Sequence, residues 1–141
     1  MDIAIDTSRI VDELLADSAM GALTAAEDSA PLPLNSDHTP LLLRAVRGSF
    51  GHLALALTPF RDCSRHAPFV LSFPDLPGLD PDVIAEGAAL FIRLDVAARL
   101  NASRRPADAY RLARQADQSL DRIKAAIFAC SPRPGRIRPG A

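Results

Sequence analysis

The stretch "ADAYRLARQADQSLDRIKAAIFAC", residues 107–130, decides how the rest of the chain is read. Ala109, Ala113, Ala116, Leu120, Ile123 and Ile127 recur at alternating steps of four and three, the repeat of a helix with one apolar side. Arg111, Arg114, Gln118, Asp121, Arg122 and Lys124 fill the opposite face. Such a helix needs other elements to bury its stripe. Its end is expected near Cys130, because the residue before Pro132 is pushed out of the helical region.

Working backwards, Asp80 and Pro81 are the cap and first residue of another helix. On it Val83, Gly87, Leu90, Leu94 and Ala97 form one line, with Ile84, Ala88 and Phe91 beside it. Its apolar arc is wide, so it is expected to be central. Thr39 and Pro40 repeat the capping logic and open a helix whose buried stripe is Leu42, Val46, Phe50, Leu53, Leu57 and Phe60. Gly48 and Gly51 interrupt it at a cost of about 1 kcal/mol each, for which a close crossing by another helix is the expected compensation. Thr7 and Ser8 are the candidate caps of a first helix carrying Ile10, Val11, Leu14, Leu15 and Met20 on its apolar side. It is expected to fade near Gly21.

Between these helices, "DSAPLPLNSDH" (28–38) reads as a mobile surface loop broken by Pro31 and Pro33. "FVLSF" (69–73) alternates Phe69, Leu71 and Phe73 inward with Val70 and Ser72 outward, a short strand. Its partner is either "DIAI" at the start of the chain or an edge of another subunit. The expectation is a mainly α fold: a small antiparallel bundle of about four helices, with a short β segment between helices 2 and 3. Residues 1–130 form one domain, and 131–141 an extended basic tail. At 141 residues and 48% hydrophobic, the chain has enough material to bury roughly two thirds of its unfolded surface.

The first ten residues carry Asp2 and Asp6 where a secretion signal needs bases, and no apolar run is long enough for a membrane span. A soluble, unexported protein is expected, with Cys63 and Cys130 reduced. The net charge of −1 hides a gradient: residues 1–37 hold eight acids against Arg9, whereas residues 99–141 hold ten bases against Asp108, Asp117 and Asp121. Either the molecule has opposed poles that steer a partner or align copies, or the two ends neutralise each other.

Candidate chemistry is sparse. Cys63 and His66 have a zinc-like spacing, but a closed site needs four ligands and His38, His52 and Cys130 stand singly. Ser49 and His52 share a helical face without the strand-to-helix elbow that exposes a nucleophile. Asp80, Asp82 and Glu86 suit a helix start, and with Asp75 they do not match a calcium loop. No catalytic residue, metal or cofactor is expected. The tail, "SPRPGRIRPGA", cannot be helical with prolines at 132, 134 and 139. Its Arg133, Arg136 and Arg138, with Ile137 among them, are the candidate partner interface, by forking onto carboxylates or neutralising phosphates.

Read in order, the chain resembles small helical head-completion, or head-to-tail connector, proteins of tailed phages and prophages of Bacteroidetes-type hosts. The resemblance runs through "IDTSRIVDELL", "NSDHTPLLLRAVRGSF", "VIAEGAALFIRLDVAARL" and "AYRLARQADQSLDRIKAAIFACSPRPGR". It implies a non-enzymatic virion protein assembled in the host cytoplasm. Copies would form a ring on the portal, contacting portal and tail or neck proteins, with packaged DNA nearby and no membrane. The alternative is a helical nucleic-acid-binding accessory protein using Arg104, Arg105, Arg111 and the tail, and a hydrolase using Ser49 and His52 stands third.

Overall fold

The computed structural model describes residues 1–24, 34–64 and 67–130, with the side chains of its first helix described through Ser18. The expected mainly helical architecture is what forms, with four helices and one two-stranded antiparallel sheet. In chain order the elements are β1 (Asp2–Ala4), α1 (Thr7–Thr24), a 3₁₀ turn (Ser36–His38), α2 (Thr39–Ala56), β2 (Val70–Ser72), α3 (Pro81–Asn101) and α4 (Pro106–Cys130).

The strand's partner lies within the chain. Asp2 pairs with Ser72, Ile3 with Leu71 and Ala4 with Val70, and Ile5 N–H donates to the Phe69 carbonyl at 2.9 Å. Ile3, Ile5, Leu71 and Phe73 point into the core. Ser72, expected outward, is buried: its hydroxyl donates to Asp2 Oδ1 at 2.8 Å, and its carbonyl accepts from Asp62 N–H at 2.8 Å. Phe69 is only partly buried, and its φ of 57° is unusual for an aromatic residue, the kind of backbone held in place by its surroundings. Here those are the bond to Ile5 and an edge-on contact with Phe50, ring centres 5.4 Å apart.

The caps sit one step upstream of two expected positions. Asp6, not Thr7 or Ser8, caps α1: its carboxylate accepts Arg9 N–H at 3.1 Å, bringing a full negative charge to the positive end of the helix. Thr39 already lies inside a winding begun by the 3₁₀ turn. Asn35 caps that turn through Asp37 N–H, while His38 Nδ1 accepts from Asn35 N–H at 3.0 Å. Asp80 caps α3 as expected, accepting Asp82 N–H at 2.9 Å.

α3 is the hub. α4 folds back along it after the turn at residues 102–105, and α2, α1 and β1 touch its other sides. The line on α3 that reaches the core is Ile84, Ala88, Phe91, Ile92 and Val96. Val83 and Leu90, read as core, are 55% and 40% exposed, and both line an open groove bordered by α1 and α4. In α4 the buried line is Ala116, Ser119, Ile123 and Ile127, and Ala113 is exposed.

Among the described residues the close crossing expected at Gly48 and Gly51 is not there: none of them lies within 4 Å of a Cβ placed on either. It occurs at Gly87 instead, where a Cβ would come within 2.9 Å of Ile123 Cγ1. Ser119 Oγ spans the same crossing to the Gly87 carbonyl at 3.1 Å.

Candidate interaction surface

The tail residues Arg133, Arg136, Ile137 and Arg138 lie outside the described residues, as do the expected loop up to residue 33, the Met20 side chain and His66. The end of α4 is described: Cys130 Sγ lies 4.0 Å from a Cβ placed on Gly78, in the turn before α3. Cys63 and Cys130 are both free thiols.

The other sequence candidates are kept apart by the fold. Ser49 is fully buried, its hydroxyl without a hydrogen-bond partner, while His52 is exposed and its Nδ1 meets an Arg99 amine. Burial and exposure at this spacing leave no nucleophile–base pair on one accessible face. Arg99 also lies 3.3 Å from Asp95 Oδ2, an ionic contact that lacks hydrogen-bond alignment, since that buried oxygen has no such partner. Of the acids near the start of α3, Asp80 is the cap and Glu86 is held by Arg9. Among the described residues no three His, Cys, Asp or Glu side chains are grouped to hold a metal. Nor is any described helix long and apolar enough to cross a membrane.

Two open grooves flank the α1–α3 contact. The first, about 350 Å³, is lined by Arg9, Glu13, Glu86, Arg93, Arg122 and the exposed Val83 and Leu90, among others. Four of its charged side chains, Arg9, Glu13, Glu86 and Arg93, are ion-paired. Arg9 donates to Glu86 at 2.8 and 3.3 Å and to Glu13 at 3.0 Å, while Arg93 forks onto Asp17 at 2.8 and 3.1 Å. Hydrogen bonds from Arg9, then its charge, hold the Glu86 carboxyl below the ordinary glutamate range. The same bonds raise the Arg9 guanidinium above its usual value. The second groove, about 290 Å³, has Leu14, Leu34, Leu100 and Leu112 in its wall and an Arg105–Asp108–Arg111 cluster at its rim. Arg105 lies 2.6 Å and Arg111 3.7 Å from Asp108.

These pairs revise the charge gradient. Among the described residues, Glu13 and Asp17 of α1 are met by Arg93 of α3, from the middle of the sequence, rather than by an arginine that follows residue 99.

Two further exposed stripes lie on α2 and α4, the helices that pack on α3. On the outer side of α2, Leu41, Arg44, Gly48, Gly51 and Leu55 recur at steps of three and four, all exposed, with Leu41 at 63% and Leu55 at 72%. Arg47 lies one turn from Arg44, and no acid occurs anywhere in α2. On the outer side of α4, Tyr110, Arg114, Asp117, Asp121, Lys124 and Phe128 recur at steps of four and three. Tyr110 is 67% and Phe128 53% exposed, and Arg114 sits over the Tyr110 ring, 5.9 Å from its centre. The signal for both stripes was in the sequence, as the helical repeat read one half-turn away from each core line. Comparison with family models, curated proteins and solved structures returned no match for this chain.

Proposed function

We propose that this protein is a non-enzymatic structural component, a head-completion or head-to-tail connector that forms a ring on the portal of a tailed phage or prophage. The observation that carries the reading is the pair of exposed, partly apolar helix faces on α2 and α4, both of which pack on the central α3. Large apolar side chains held out on a helix face are the kind of group that contact surfaces use. Two such faces on one small domain suit an assembly in which each copy touches two others. The ordered resemblance along the sequence supplies the kind of assembly, and the arginine-bearing segment after Cys130 supplies a reach towards the portal.

The test is co-sedimentation of the full chain with portal rings. Binding that is lost on truncation after Ser131, with the helical circular dichroism signal retained, is the expected result. Portal rings that sediment without the chain refute the proposal. If the chain instead binds DNA duplex with an affinity that falls steeply with added salt, the nucleic-acid reading built on Arg104, Arg105, Arg111 and the tail replaces it.

A further inference from the structure

The two outward stripes complement each other, and we infer that the outer face of α2 in one copy docks on the outer face of α4 in the next. The inference deepens the ring reading and rests on it only for the claim that copies associate. Three observations carry it.

The first is charge. Arg44 and Arg47 stand one turn apart on a helix that has no acid, and neither has an ion-pair partner among the described residues. Asp117 and Asp121 stand one turn apart at the middle of the α4 stripe, likewise without one, with Arg114 and Lys124 nearer its ends. Like charges at this spacing disfavour their own helix slightly. Opposing the two pairs relieves both.

The second is shape. Gly48 and Gly51 open a notch in the middle of the α2 face, with nothing within 4 Å of either, so another helix can approach the backbone there. Leu41 and Leu55 bracket the notch over about 21 Å, and Tyr110 and Phe128 bracket the aspartates over about 27 Å of α4, at 1.5 Å rise per residue. Each face thus carries its charges between two large apolar side chains. The third is placement. α2 and α4 both pack against α3, and each stripe is exposed on the single chain, so the two faces do not meet within it. The contact is heterologous, and repeating it gives a closed ring or an open filament.

Charge reversal of the full chain, read by sedimentation velocity, tests the pairing. The wild type is expected to assemble beyond a dimer. Arg44→Glu with Arg47→Glu, and separately Asp117→Arg with Asp121→Arg, should each weaken association at least ~tenfold by placing like charges face to face. All four positions are exposed, so the helical signal should persist. In an equimolar mixture of the two reversed proteins each α2 pair again finds an α4 pair of opposite charge, and the mixture should assemble in alternation.

A monomeric wild type, reversed variants that assemble as the wild type does, or a mixture that stays monomeric overturns the pairing. Portal binding is scored separately. Self-association that follows this pattern without portal binding removes the connector reading and leaves the pairing standing; portal binding by variants whose self-association is unchanged removes the pairing alone.

Discussion

Substituting each helical glycine with alanine should give opposite signs at positions the sequence makes look alike. At Gly48 a new Cβ meets nothing within 4 Å, so Gly48→Ala should stabilise by about 1 kcal/mol through helix propensity alone. At Gly87 the same gain is opposed by a contact of 2.9 Å to Ile123 Cγ1 and 3.3 Å to its Cδ1. Ile123 cannot step aside, because it is buried and a β-branched residue in a helix has essentially one χ1 rotamer. Separating α3 from α4 would also stretch the Ser119–Gly87 hydrogen bond. Overpacking of this kind costs about 1–3 kcal/mol. Comparing the two variants cancels the propensity gain and leaves that steric cost, or a Tm difference of about 3–10 °C for a chain this long. Thermal unfolding followed by circular dichroism reads it. In an Ile123→Ala background the clash disappears, and Gly87→Ala should become neutral or stabilising. A Gly87→Ala protein that melts as high as Gly48→Ala would refute the close crossing of α3 and α4.

Three smaller tests follow from single contacts. Removing the fork to Asp17 and the contact to Glu13 with Arg93→Ala should cost roughly 0.5–1 kcal/mol in urea unfolding, the range of a partly exposed pair. Asp80→Ala, which frees Asp82 N–H, should cost about 1 kcal/mol in the same assay, and Asp80→Asn much less. Glu86 has its folded pKa below the ordinary value, so its contribution is present at neutral pH. That contribution is lost as pH falls from about 4.3 through the lower folded value. Glu86→Gln should therefore flatten the acid limb of a stability–pH profile while leaving its alkaline limb unchanged.

The helices were legible because their core lines obey the turn repeat: Leu42, Val46 and Leu53, and Ala116, Ile123 and Ile127, are buried as read. Prolines at 81 and 106 and the cap at Asp80 mark real starts. Three things were not legible. On α3 the apolar arc is wide, and periodicity alone does not say which line of it faces the core; Val83 and Leu90 ended outside. Glycine spacing shows where a crossing could occur but not which helix arrives, so Gly87 carried the contact read at Gly48 and Gly51. Ion pairing depends on which helices meet, and Arg93 reached α1 where the charge gradient pointed to the chain ends. The tail candidates Arg133, Arg136, Ile137 and Arg138 gain no structural context, and the α2 and α4 stripes were overlooked because each core line drew the reading to the other side of its helix.

The central claim, that two complementary flanks lead copies to associate, is tested most directly by solution mass as a function of concentration and ionic strength. At low salt the mass should climb past two chains as concentration rises. It should fall back as salt is raised, because the charge-pairing part of the contact weakens when the Debye length shrinks from about 10 Å at 0.1 M to about 3 Å at 1 M. A single-chain mass at every concentration and salt, with the helical signal intact, would contradict the account.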